Sequence, residues 1–334
     1  MFDWKVPENW QKVTAIDVHV GGEPLRIVTS GAPRLYGDTI QDLYKDAVEK
    51  HDWFRKRVIF EPRGHADMYG ALLVSPETTA ADFGVLFMDS QSFTPMCGHG
   101  IIGLATVLVE AGVVTMLGLA SVLKFDTPAG EVTAHASVDD NDRVQSVGMV
   151  GVASYVQHLD YTVQVPEVGQ VVCDIAYGGE WYAFVDADVM DLDVIPSNAA
   201  RFSYIGRLIK AALREQLPDI PLYGLIFVQD SPQEGIHSRN VNVFGNGALD
   251  RSPTGTGLSA RLAIHHARGD VETQQNITVG SITGATFIGR VMKTANINGK
   301  QGIVPIIQGN AKVVGKHEFY YDPNDPLAEG FLLR

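Results

Sequence analysis

Cysteine is nearly absent: Cys97 and Cys173 are the only two in 334 residues. Two thiols cannot build a disulfide framework, so the fold must be held by its core and each cysteine has to be explained as a thiol. Positive charge is also in short supply. Against 39 Asp and Glu stand 26 Lys and Arg, for a net charge of -13. That balance excludes sequence-independent binding to nucleic-acid phosphates or to anionic lipid, both of which need excess Lys and Arg. No uncharged apolar run approaches the roughly 18 residues of a membrane span. The opening residues, MFDWKVPENWQKV, show no apolar stretch after a basic start. The expectation is a soluble, cytoplasmic protein whose partner is a small molecule, with no nucleic acid and no membrane. With 45% hydrophobic and 19% charged residues, the chain is of ordinary globular composition and long enough for two cores.

What is present is a repeat. CGHGIIGLATVLVEAG starts at Cys97 and TGTGLSARLAIHHARG at Thr254; both have Gly in second and fourth place and close on Gly, at Gly112 and Gly269. Thr94-Pro95 precedes the first copy and Asp250-Arg251-Ser252-Pro253 the second, which are helix-start signals, and the closing glycines suit left-handed C-terminal caps. The first helix, predicted over residues 101–111, is apolar nearly all round and should be buried. The second is expected to carry Arg261, His265, His266 and Arg268 on its outer faces. Runs rich in Val, Ile, Phe and Thr at 25–29, 58–60, 71–74, 182–185, 225–228 and 240–244 read as strands between tight turns. The fold class expected is α+β, in two similar domains, each a curled sheet around one central helix, with the related helix starts facing a shared cleft. A boundary near residue 145 fits the repeat and the turn-rich Asp139-Asp140-Asn141-Asp142.

Both helix starts match the glycine pattern of a dinucleotide site, yet Pro95 and Pro253 interrupt the strand that such a site needs. No nucleotide or other cofactor is expected. The physics of the motif survives: glycines admit close approach, and free backbone N–H groups at a helix start attract an anion such as a small carboxylate. The same partial positive charge favours a thiolate at Cys97. A thiol of ordinary pKa is only about 3% ionised at pH 7, and lowering it by about one unit gives roughly a quarter. Cys97 is therefore expected to act as a base. Cys173, with no glycine-rich helix start beside it, is expected to be buried packing.

Five ordered motifs resemble the proline racemase family: Asp17 to Pro24, Glu61 to Met68, Met96-Cys97-Gly98-His99-Gly100, Tyr177-Gly178-Gly179, and Asp250 to Gly257. The resemblance implies a diaminopimelate epimerase-like fold of two mirrored, pseudo-symmetric halves with the active site between them. It also returns the last strands to the first domain, giving 1–145 plus 308–334 with Cys97, and 146–307 with Thr254. In the racemases and epimerases of this family both helix starts carry cysteine, one on each face of the ring. Here the second position is Thr254, which has no nearby base in sequence and cannot mirror Cys97. Members with this pair of residues look like trans-3-hydroxy-L-proline dehydratases. The alpha hydrogen and the 3-hydroxyl of that substrate share a ring face, so Cys97 could remove the one and protonate the other. The resemblance also assigns substrate binding to Gly98, His99, Gly255 and Thr256 at the carboxylate and Asp250 at the ring ammonium, with Thr254 donating a hydrogen bond, filling space or capping its helix.

Other readings stay open: a racemase or epimerase of proline or 4-hydroxyproline, a non-catalytic amino-acid binding protein, and a phenazine-type isomerase, which is not expected to carry the Met96 to Gly100 motif. No metal site is expected, because Gly21-Gly22 breaks any helix that would align His19 with Glu23. His65 and Asp67 are expected to be a buried polar pair on a strand, and His265-His266 solvated surface. A homodimer is left open.

Overall fold

Alternation of buried and exposed residues puts a large share of this chain into strands. The computed structural model describes residues 4–114, 118–297 and 299–333. A hairpin opens it, β1 (Gln11–Val20) and β2 (Glu23–Ser30), followed by α1 (Ile40–Lys50), α2 (Asp52–Ile59), β3 (Gly70–Val74), β4 (Phe83–Met88), the short β5 (Phe93–Thr94) and α3 (Gly98–Glu110). Then come β6 (Ala120–Thr127), β7 (Gly130–Val138), β8 (Val144–Val150), β9 (Ser154–Val165), β10 (Gly169–Tyr177), β11 (Trp181–Asp186) and α4 (Ala199–Gln216). The remainder is β12 (Leu222–Asp230), β13 (Ser238–Phe244), β14 (Ala248–Asp250), α5 (Gly255–Arg268), β15 (Asn276–Ser281), β16 (Thr286–Ile297), β17 (Lys300–Gly309) and β18 (Ala311–Tyr321).

Pairing curls these strands around the two glycine-started helices. From β18 the order runs through β1, β2, β3, β4, β6 and β7 to β8. A second set closes on itself, from β9 through β10, β11, β12, β13, β15, β16 and β17 back to β9. Strand β17 is the seam: residues 302–303 pair with β9 and residues 306–309 with β8. Helix α3 packs against β1, β2, β3, β7, β8 and β18, and α5 against β9, β10, β11, β16 and β17. Enclosure on every side explains why α3 has no polar stripe, for Gly98 through Val109 are all buried. Helices α1, α2 and α4 cover outer sheet faces and complete two further apolar clusters. Among the described residues no helix is long and apolar enough to cross a membrane.

Several expectations change. Residues 58–60 are not a strand; Val58 and Ile59 end α2, whose buried Phe54, Arg55, Val58 and Ile59 form one helical stripe. A three-residue apolar run cannot distinguish the two periods. Helix α3 starts at Gly98, three residues before the predicted residue 101, because Cys97 itself occupies the N-cap. Arg261 lies inside rather than on an outer face, at 5% exposure. His65 and Asp67 stand in a turn, not a strand: the Asp67 backbone N–H donates to His65 Nδ1 at 3.2 Å, and Asp67 Oδ2 accepts from Arg251 Nη2 at 2.8 Å. His265 and His266 are half-buried, at the end of α5.

Candidate active site

The two helix starts meet at backbone contact. A Cβ added to Gly98 would lie 2.9 Å from the Gly255 Cα, and one added to Gly255 would lie 3.0 Å from the Gly98 Cα. Only glycine fits either position. This contact brings the N-terminal ends of α3 and α5 to one point, so that their unpaired N–H groups and dipoles converge. At the head of α3, Cys97 Sγ accepts from the Gly100 N–H at 3.3 Å and lies 3.3 Å from His99 Nδ1. At the head of α5, Thr254 does not cap the helix with its side chain. Its Oγ1 donates to Asp250 Oδ2 at 2.8 Å, while Asp250 Oδ1 accepts the Ser252 N–H at 2.8 Å. Thr254 holds a φ of 61°, a left-handed conformation unusual for a β-branched residue. Thr256 turns its hydroxyl to Tyr182, at 2.7 Å. Cys97, Gly98, His99, Asp250, Thr254, Gly255 and Thr256 are thus neighbours across the two helix starts, and all are buried.

Burial reverses the electrostatic expectation for Cys97. Desolvation pushes its thiol well above the ordinary range, the Gly100 N–H opposes that, and Asp250, Glu23 and Asp89 add to it. The helix start alone favours a thiolate, but a closed site ringed by carboxylates does not. His99 is held below its usual pKa by burial, with Asp250 and a hydrogen bond to the Pro24 backbone acting the other way, so its ring is neutral at pH 7.

Glu23 is a site residue that the sequence weighed only as a metal ligand with His19 and set aside. It is 0% exposed, its Oε2 accepts the Arg251 N–H at 2.7 Å, and its Oε1 has no hydrogen-bond partner. Burial, then the charge of Asp250, raises its pKa well above the usual carboxylate range. The Tyr69 ring stands edge-on to His99 at 4.6 Å, Tyr69 and Tyr223 share a hydroxyl–hydroxyl hydrogen bond, and Tyr223 donates to Asp89 at 3.0 Å. These groups come from β2, β12 and the ends of β3 and β4, and no local spacing connects them to Cys97. Cys173 lies elsewhere, in β10, with burial pushing its thiol up to about 12.

The sequence profile of the proline racemase family matches residues 15–332. The chain belongs to the proline racemase family. Among its relatives, the trans-3-hydroxy-L-proline dehydratase of Colwellia psychrerythraea is 40% identical, across 98% of this chain and 94% of that one. The enzyme of the same name from Bacillus cereus is 38% identical, across 96% and 98%. A 3-hydroxyproline 2-epimerase of Burkholderia multivorans is 37% identical, across 97% and 99%. A crystal structure of a hydroxyproline epimerase from Agrobacterium vitis, with bound trans-4-hydroxy-L-proline, superposes with a TM-score of 0.91 at 30% identity, covering 98% of this chain and 96% of the other. This proline racemase family member therefore has enzymes as full-length relatives, and dehydratases and epimerases both occur among them.

Proposed function

We propose that the protein is a trans-3-hydroxy-L-proline dehydratase, a hydro-lyase acting without a cofactor and yielding Δ1-pyrroline-2-carboxylate and water. One observation carries the reading: the second helix start presents a threonine hydroxyl hydrogen-bonded to Asp250. Its pKa lies far above any working pH, so the hydroxyl itself is no second base to mirror Cys97. Chemistry confined to one ring face favours elimination over inversion.

The substrate carboxylate takes the converging N–H groups of Gly98, His99, Gly255 and Thr256, and the ring ammonium faces Asp250 and Glu23. That ammonium offsets two of the three carboxylates that raise the Cys97 pKa. His99 Nδ1, 3.3 Å from Sγ, takes up the thiol proton. The thiolate then removes the alpha proton, the Cα–H electrons form the ring double bond, and the C3–O bond breaks. The new S–H protonates the departing hydroxide, so water leaves and the thiolate is restored. The enamine tautomerises to the pyrroline. The fold is read as the diaminopimelate epimerase-like pair of pseudo-symmetric halves, 1–145 with 308–334 and 146–307. Residues 1–3, 115–117, 298 and 334 of these ranges lie outside the described residues. Pairing of β18 with β1, and the closed ring from β9 to β17, support that division.

The test is to incubate the protein in deuterium oxide with trans-3-hydroxy-L-proline and, separately, with trans-4-hydroxy-L-proline. Pyrroline formation from the first, with no deuterated epimer from either, is expected. Inversion with deuterium uptake makes the protein an epimerase instead, and no reaction leaves an amino-acid binding protein.

A further inference from the structure

Helix α5 borders a second, half-open pocket beyond its first turn. A cavity of about 240 Å³ is lined by Arg261, His265 and Arg268 of the helix and by residues of β10, β11 and β12. Arg261 is buried, enters no ion pair among the described residues, and has an Nη1 without a hydrogen-bond partner. Burial pushes its pKa down to about 10 against the field of Asp230, which leaves it a cation at neutral pH. An unpaired buried cation is unfavourable, and an acceptor brought by a ligand removes that cost.

His265 supplies the complementary group. Burial, reinforced by Arg261, pushes its pKa down to about 4. Its Nδ1 faces Asp270 Oδ2 at 3.4 Å; a carboxylate only accepts, so the ring proton sits on Nδ1 and Nε2 is left an acceptor. That Nε2 is buried without a partner. Asp186, Asp188 and Asp230 lie exposed around the same cavity. A plain anion would meet this negative rim, and a plain cation would meet Arg261. Among the described residues no His, Cys, Asp or Glu group is arranged to hold a metal ion. A ligand bearing both charges suits Arg261 and the acidic rim together, and the N–H donors of its cationic end suit the His265 Nε2 acceptor.

We propose that this cavity is a second binding site, for a small zwitterionic α-amino or α-imino acid whose carboxylate pairs with Arg261 and whose ammonium faces Asp186 and Asp230. Arg261 stands about 9 Å along α5 from Gly255, at the helical rise per residue. Occupancy therefore bears on the helix that also presents Thr254. The inference does not rest on the dehydratase reading.

Equilibrium dialysis of the whole protein with radiolabelled L-proline, L-alanine and glycine tests it. At least one of the three is expected to bind with one equivalent fewer in Arg261→Met than in the wild type. Acetate and methylammonium should bind that site at least tenfold more weakly. Asp230→Asn, at an exposed position, decides the matter if Arg261→Met does not fold, and should weaken the same equivalent at least fivefold. Unchanged binding in both variants, or acetate binding as tightly as the amino acids, overturns the proposal. Dehydration of trans-3-hydroxy-L-proline, assayed on the same preparations, reports separately on the active site.

Discussion

Cys97→Ala removes the group proposed to take the alpha proton. Product formation is expected to fall by about 10²- to 10⁴-fold, the range for a positioned acid–base group, while thermal unfolding shows the fold intact; a wild-type rate would refute the role. Thr254→Cys restores a thiol at the second helix start. It should open slow epimerisation of trans-4-hydroxy-L-proline, detected as deuterium at Cα. The rate should be low because Asp250 Oδ2, now 2.8 Å from the hydroxyl, would raise the new thiol's pKa. Persistent absence of labelled epimer would count against two-face geometry. The sequence made Cys97 and Thr254 legible because a glycine repeat marks both. It did not reveal that Thr254 donates to Asp250 or that Glu23 is sealed beside them, since neither relation leaves a spacing pattern.

At the scale of elements, the α3–α5 contact leaves no space for a methyl group. Gly255→Ala places a Cβ 3.0 Å from the Gly98 Cα. Overpacking of this kind costs about 1–3 kcal/mol, so a lower melting temperature and a fall in kcat/KM of at least tenfold are expected. The turn between β10 and β11 holds a different test. Glu180 is pushed from 4.5 to about 8, first by burial and then by Asp89. The folded carboxyl binds its proton more tightly than the unfolded one. Its stability contribution is therefore complete below pH 4.5 and lost as the pH rises to about 8. Glu180→Gln should flatten the decline in urea midpoint across that window; an unchanged slope would show that another group causes it. Five of the six runs read as strands, and the closing glycines of α3 and α5, were legible from local periodicity and glycine. Helix α2 was not, because its apolar stripe is interrupted by charged residues, and Arg261 was not, because an arginine inside a protein has no sequence signature.

Across the whole molecule, the candidate active site is shut. Arg251, on the approach to α5, reaches Glu23 of β2 at 3.5 Å and Asp67 of the turn before β3 at 2.8 Å, tying the two helix-bearing parts together. Substrate access thus requires the parts to separate. Arg251→Met removes both ion pairs and should raise KM and speed iodoacetamide labelling of Cys97, followed by mass spectrometry; equal labelling rates would show that this clasp does not control opening. Periodicity could not supply such relations, nor the strand pairing that frames them, and only family resemblance pointed the C-terminal strands back to the first domain. That return has a consequence during synthesis. Strand β1 pairs with β18, Gln11 opposite Tyr321, so one edge of the first hairpin waits for almost the entire chain to be translated. At about 5–20 residues per second the wait is roughly 15–60 s. For that interval the nascent hairpin shows an open edge to its neighbours on the polysome, and it is there, rather than in the finished enzyme, that a chaperone has most to protect.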